Sequence, residues 1–279
     1  MDSIVLLKLG GSLITDKTRP QTARPEVIAR IAREIRAALA ARPQSLIIGH
    51  GSGSFGHTVA QQHGTRHGVR TPEQWRGFAE VSVIAARLNR LVADALHEAG
   101  LPVISFPPSA SARCVGGRMV ELALSPLRRA LDHGLIPLLM GDVAFDEQRG
   151  GVIISTEEVF AYLAEHLPVR DVLLAGETEG VYRNFATGDH RMIPRITPAL
   201  WEQIQHGVGN SHGMDVTGGM AGKVRDMLSL VQRHPTLRAY IFSGLVPGNV
   251  QQALLGLPIG TEICASDDAL HVSGKPTLA

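Results

Sequence analysis

The sequence predicts an α/β protein with a mainly parallel sheet, and three observations carry that expectation. Apolar, strand-like runs alternate with stretches of helical periodicity from one end of the chain to the other. The runs are apolar almost throughout, as strands covered on both faces must be. Glycine turns follow them, at 10–12, 51–56, 141, 176–180 and 218–219.

Ile4 to Leu9 reads as the first buried strand, interrupted only by Lys8. A lysine in such a run implies an anionic partner. Gly10-Gly11-Ser12 follow at once and Thr15-Asp16-Lys17 come next, so two lysines bracket a glycine turn. Residues 25–41 read as an amphipathic helix with Pro25 in its first turn and Val27, Ile28, Ile31, Ile35 and Leu39 at helical spacing; Pro43 ends it. Ser45 to Gly49 is the second strand. It empties through His50 into Gly51-Ser52-Gly53-Ser54-Phe55-Gly56-His57, where glycines let the backbone approach an anion and a following helix adds its positive end.

Thr71 and Pro72 mark the cap and first position of the longest helix, which runs through Trp75, Phe78, Val81, Ile84, Leu88, Leu91 and Leu96 to Gly100. A strand over 102–106, a helix from Leu122 to Asp132 and a strand from Leu135 to Met140 follow, the last closed by Gly141-Asp142. Residues 145–154 read as a hairpin. Ser155 or Thr156 then caps a helix reaching Leu167, with Glu157 and Glu158 in its first turn. Val169 to Ala175 is a strand, and residues 183–213 read as a polar segment that is mobile or covers a site. A helix over 220–233 and strands from Arg238 to Phe242 and over 260–264 complete the chain. Without a repeat or linker, one continuous compact domain is expected.

Lys and Arg total 27 against 26 Asp and Glu, a formal net charge of +1, so no global field argues for nucleic acid or an anionic membrane. Any anion site must be built locally. Cys114 and Cys264 have no zinc spacing and suit a reducing compartment. Ile4-Val5-Leu6-Leu7 is too short for a signal core or a membrane span, so a cytoplasmic protein is expected.

In an open parallel sheet the carboxyl ends of the strands share one edge, where ligands bind. Several anion-compatible turns there suggest two anionic ligands or a phosphoryl group passing between them, with Lys8, Lys17 and Lys223 supplying positive charge. Gly51-x-Gly53-x-x-Gly56 also fits a dinucleotide fingerprint. That fingerprint, however, expects an acid about 20 residues on, at the end of the next strand, where this chain is helical in pattern. The P-loop motif G-x-x-x-x-G-K-[ST] is absent. His57 is placed to donate to a phosphate oxygen, whereas His50 suits a structural role. Glu157 and Glu158 fit two roles equally: first-turn acids favoured by the helix dipole, or a group that holds the lysines or faces Mg²⁺.

Three blocks resemble the amino acid kinase superfamily and, within it, the isopentenyl phosphate kinase family. They are Lys8-Leu9-Gly10-Gly11-Ser12 with Thr15-Asp16-Lys17, Gly51 to His57, and Asp215-Val216-Thr217-Gly218-Gly219-Met220 with Gly222-Lys223. The resemblance implies an αβα sandwich, with residues 1–168 binding the phosphate acceptor and 169–279 binding ATP. It implies phosphorylation of isopentenyl phosphate, with dimethylallyl phosphate as a related acceptor, by ATP with Mg²⁺ in a homodimer. Lys8, Lys17, His57, Glu157 and Lys223 take catalytic roles. The acceptor would meet Gly10, Gly11, Ser12, Gly53, Ser54, Gly56, His57 and Thr156, with Phe78, Val81 and Ile84 lining its hydrocarbon pocket. The nucleotide would meet Lys8, Gly11, Gly176, Glu177, Gly180, Tyr182, Gly218, Gly219, Met220 and Lys223. No protein ligands to the metal are assigned.

The chain departs from the family pattern at three places. Ser155-Thr156-Glu157-Glu158 stands for Ser-Gly-Asp-Asp, Gly176-Glu177-Thr178-Glu179-Gly180 for Thr-Asp-x-Asp-Gly, and Ser52 for a glycine. The first puts a close backbone approach at residue 156 in question. A kinase of another small phosphate or phosphonate, such as a fosfomycin-type kinase, is the nearest alternative; a non-catalytic ligand sensor is the reading from a different class.

Overall fold

The computed structural model describes residues 3–56, 68–183, 191–205, 208 and 219–266. Its centre is an eight-stranded sheet. In chain order the strands of that sheet are β1 (Ile4–Leu9), β2 (Ser45–His50), β3 (Val103–Ser105), β6 (Ile136–Met140), β9 (Val169–Gly176), β12 (Arg195–Ile196), β13 (Arg238–Ser243) and β14 (Thr261–Ile263). They lie in the order β12-β14-β13-β9-β1-β2-β6-β3. From β13 to β3 every neighbouring pair is parallel, and only the β13–β14 pair is antiparallel.

Helices cover both faces: α1 (Gly11–Ile14), α2 (Pro25–Ala41), α3 (Pro72–Glu98), α4 (Leu124–Asp132), α5 (Thr156–His166), α6 (Pro198–Ile204), α7 (Gly219–Arg233) and α8 (Asn249–Leu255). The alternation of β1 sorts the layers. Val5, Leu7 and Leu9 join Ile28, Ile31 and Ile35 of α2, Leu88 and Val92 of α3, and Val250 of α8. Ile4 and Leu6 join Phe160 and Leu163 of α5 and Val224 and Leu228 of α7. Each fully buried Leu or Ile contributes about 1.5–3 kcal/mol, so these two layers hold the sandwich together. Lys8 has the parity of Ile4 and Leu6, and so faces α5 and α7.

The predicted boundaries of α2 and the capped start of α3 agree with the structure. Thr71 accepts the Gln74 N–H and Gln74 returns the bond, closing a capping box over Pro72. Two regions differ from expectation. Within the 183–213 segment the described residues carry regular structure: β11 (Arg191–Ile193) pairs with β10 (Val181–Arg183), and β12 and α6 follow. The β10–β11 pair is pinned by Thr261, whose hydroxyl accepts from Val181 N–H at 2.8 Å and donates to Ile193 O at 2.6 Å. The hairpin at 145–154 is β7 (Asp142–Asp146) with β8 (Gly150–Ile154), but it belongs to a second sheet with β4 (Arg113–Val115) and β5 (Arg118–Glu121). Asp146 binds that sheet's turns by accepting from four N–H groups, those of Gly116, Gly117, Gln148 and Arg149. No helix among the described residues is long and apolar enough to cross a membrane.

Candidate active site

The carboxyl ends of β1, β2, β6, β9 and β13 share one edge, and Gly10, Gly51, Gly141, Gly176 and Gly244 follow them there. The first two turns interlock. A methyl group at Gly11 would stand 2.3 Å from the Gly53 nitrogen, and one at Gly51 would stand 2.8 Å from the Gly11 nitrogen. No side chain fits between them. Gly53 adopts φ +50°, where a side chain is strained in any case.

Thr15 ties the turns together. Its buried hydroxyl donates to Gly11 O at 2.6 Å and accepts the Ser54 N–H at 2.9 Å. Ser54 is likewise tied to the 16–23 loop: its hydroxyl accepts the Thr22 N–H at 3.2 Å, and its carbonyl accepts the Gln21 N–H at 3.1 Å. Of the 53–56 backbone expected to cradle a phosphate, the Ser54 and Phe55 N–H groups are therefore spent internally, the latter on Ser52 O at 3.0 Å.

On the other face of β1, Lys8 Nζ donates to Glu157 Oε1 in a largely buried ion pair. Burial pushes the Glu157 carboxyl up, but the Lys8 charge and hydrogen bond, with the Lys223 charge from α7, hold it below the usual carboxylate range. The neighbouring acid has a different task. Glu158 N–H donates to Ser155 Oγ at 3.1 Å and Glu158 Oε2 accepts the Ser155 N–H at 2.6 Å, a complete capping box. Glu158 thus caps α5 while Glu157 holds the lysine. Asp226, one turn beyond Lys223, has its carboxyl pushed up by burial and by the negative charges of Glu157 and Glu158.

The threonine at the departure Thr156 is accommodated. Its methyl lies where a methyl on Gly49 would come within 2.5 Å, and its hydroxyl donates to His50 O at 2.7 Å. Thr156, expected at the acceptor, is 1% exposed and bonds the β2 terminus. Phe78, Val81 and Ile84 are the residues expected to line the hydrocarbon pocket. They lie in the core layer between α3 and the sheet, because the apolar stripe of an amphipathic helix faces inward. Phe78 also meets Trp75 edge-on at 5.2 Å and Phe145 at 5.3 Å between ring centroids, and Phe145 is exposed.

Gly10 donates to Ala175 O at 2.8 Å, and Ser12 lies in the short α1. Lys17 is exposed on the loop before α2, and Gly56 ends the described part of its turn. On the β9 side, Glu177 pairs with Arg24 at 3.1 Å across the edge, and its carbonyl accepts from Ser243 Oγ at 3.2 Å. Gly176 accepts the Gly244 N–H, and Gly180 packs against Thr261 and Met192. Tyr182 donates its hydroxyl hydrogen to Glu179. Gly219 and Met220 open α7, which carries Lys223. His57 and Gly218 lie outside the described residues.

Residues 3–243 match the amino acid kinase family. An isopentenyl phosphate kinase of Methanothermobacter thermautotrophicus is 36% identical over 270 residues, covering 93% of this chain and 98% of the relative. The isopentenyl phosphate kinase of Methanocaldococcus jannaschii is 32% identical over 274 residues, covering 95% and 100%. In three dimensions, an isopentenyl phosphate kinase known from X-ray structures superposes with a TM-score of 0.78 at 33% identity over 93% of this chain and all of that one. A carbamate kinase of Giardia lamblia shares the fold at 15% identity and a TM-score of 0.70, covering 95% of this chain and 99% of that one. With its interlocked glycine turns and its Lys8–Glu157 pair on a parallel sheet edge, the chain belongs to the amino acid kinase family.

Proposed function

We propose that this protein transfers the γ-phosphoryl group of ATP to isopentenyl phosphate, releasing ADP and isopentenyl diphosphate. The observation that carries this reading is the Lys8–Glu157 pair, in the field of Lys223, beside two glycine turns packed backbone to backbone. The homologous isopentenyl phosphate kinases support the choice of acceptor.

An oxygen of the acceptor phosphate attacks the γ-phosphorus, and the bond to the bridging oxygen of ADP breaks. Charge spreads over the transferring group, so the protein's contribution is positioning and electrostatic stabilisation. Lys8 and Lys223 neutralise that charge, and Glu157 keeps Lys8 directed at the edge. In this reading residues 1–168 bind the acceptor, with Lys17 and His57 on its phosphate, and residues 169–279 bind the nucleotide along 176–182 and 218–220. The Trp75–Phe78–Phe145 aromatic group, carried largely by the helix that follows the cradle, suits a hydrocarbon tail. Among the described residues no group of three His, Cys, Asp or Glu is placed to hold a metal. Mg²⁺ would come with the ATP phosphates, its usual mode in such sites, and would supply further charge neutralisation. A cytoplasmic homodimer completes the proposal.

The test is ADP release measured with isopentenyl phosphate, dimethylallyl phosphate and fosfomycin side by side. Turnover of a prenyl phosphate in preference to fosfomycin is expected. Absence of turnover with either prenyl phosphate overturns the assignment.

A further inference from the structure

Asn89 interrupts the apolar face of α3. It is 8% exposed among Ala85, Leu88, Val92 and Ala93, where an amide is costly unless its hydrogen bonds are made. Its side chain lies 3.1 Å from His50 Nε2, and His50 Nδ1 lies 3.1 Å from Gly51 O. For a neutral ring, these contacts fit one arrangement of protons. A carbonyl oxygen only accepts, so Nδ1 carries the hydrogen and Nε2 accepts from Asn89 Nδ2. Burial, aided by the charge of Lys8 and opposed by the Gly51 hydrogen bond, keeps the ring neutral by lowering it to about 4.

The consequence falls on the glycine turn. A trans peptide points its C=O and N–H in opposite directions, so drawing the Gly51 carbonyl toward His50 turns the Ser52 N–H away from the α3 layer. Three other donors of the turn are spent: Gly51 N–H on Leu9 O at 3.0 Å, Ser54 N–H on Thr15 Oγ1 and Phe55 N–H on Ser52 O. Resting on the acceptor-side reading above, we propose that Asn89 and His50 are positioning residues that aim the Ser52 N–H at the acceptor phosphate. The position where the family commonly has glycine thus contributes through its backbone, which any residue supplies.

Nuclear magnetic resonance of ¹⁵N-labelled protein tests this directly. The His50 ring nitrogens report the tautomer, and the Ser52 amide reports anion binding during titration with inorganic phosphate. The Nδ1–H tautomer at pH 7 and a saturable Ser52 shift are expected. Asn89→Leu is expected to mix the tautomers, weaken phosphate binding about tenfold and raise the KM for isopentenyl phosphate by a similar factor. The KM for ATP should stay unchanged. Asn89→Gln, which keeps an amide donor for Nε2, is expected to restore much of the affinity. An Nε2–H tautomer in the wild-type protein, or a Ser52 amide indifferent to phosphate, overturns the proposal, and both are read without any variant that has to fold. Failure of wild-type turnover with an intact Ser52 response removes the acceptor assignment alone, while turnover with a silent Ser52 removes the positioning role alone.

Discussion

The Thr15 hydroxyl accepts the Ser54 N–H at 2.9 Å and donates to Gly11 O at 2.6 Å, so one side chain fastens two glycine turns from different strands. Thr15 is fully buried. Thr15→Val keeps the shape but strands the Ser54 N–H, at a cost of about 1–3 kcal/mol, while Gly11 O keeps the Thr15 N–H at 3.0 Å. A lowered Tm and raised KM for both substrates are expected, with Thr15→Ser restoring most of both. An unchanged Tm in the valine variant would show that the turns hold together without this bond.

Gly11→Ala tests the interlock itself. The added methyl meets the Gly53 nitrogen at 2.3 Å and the Gly53 Cα at 2.6 Å, both backbone atoms that cannot rotate aside. One turn must move, which displaces the ends of β1 and β2 together. A displacement near 1 Å costs about 100-fold in rate, so turnover should fall by that order while the far-ultraviolet circular dichroism of the sheet is retained.

Glu157→Gln removes the charge that holds Lys8 but preserves its size. A fall in kcat of about tenfold or more is expected, and Lys8→Met should cost about 10²–10³, the usual loss of a transition-state donor. The double variant should be little worse than Lys8→Met, because Glu157 acts through Lys8. Additive losses in the double-variant kinetics would instead give Glu157 a separate role. Because the Glu157 carboxyl titrates lower folded than unfolded, its contribution is present above the ordinary carboxyl range. It is lost as pH falls through the folded value.

The boundaries of β1, α2, β2, α3 and α5 were legible because each combines a periodic apolar pattern with a local stop or start: Pro25, Pro43, Thr71-Pro72 and Ser155. The pairing of Glu157 with Lys8 was expected from the family pattern, and strand parity explains it. What escaped were contacts between residues distant in sequence. Asn89 lies in an apolar stripe, and only its closeness to His50, 39 residues away, reveals why an amide is tolerated. Thr15 meets Ser54 across the same separation. The α8 helix carries little signal in the sequence because its cap is a left-handed glycine, Gly248, and the Val250 N–H of its first turn is served by Glu34 of α2 rather than by a neighbouring side chain. The short β4 and β5 carry too few residues for a period to show.

His57→Ala should lower kcat/KM by at least about tenfold, the loss expected for a charge-assisted hydrogen bond to phosphate. The decrease should appear with isopentenyl phosphate as the varied substrate and leave the KM for ATP unchanged. An equal change in both substrates would assign the residue to general folding of the turn.

His50 makes a distinct prediction about pH and stability. Buried and held neutral, it titrates at about 4 in the folded protein against an ordinary histidine value of 6.5. The unfolded chain therefore binds a proton that the folded protein refuses throughout that interval. Stability from this source is fully present above the unfolded value, declines as pH falls from 6.5 toward 4, and is exhausted below the folded value. The lost contribution is about 3 kcal/mol, from the conversion of each pKa unit to about 1.4 kcal/mol. Urea unfolding of the wild-type protein between pH 7 and pH 4 should show this decline. His50→Phe should be less stable at pH 7, having left Asn89 and the Gly51 carbonyl unpaired, yet its stability should fall less steeply over the same interval. Equal slopes for the two proteins would mean that His50 is protonated in the fold, which would leave Asn89 in the flipped orientation with its carbonyl oxygen on the ring.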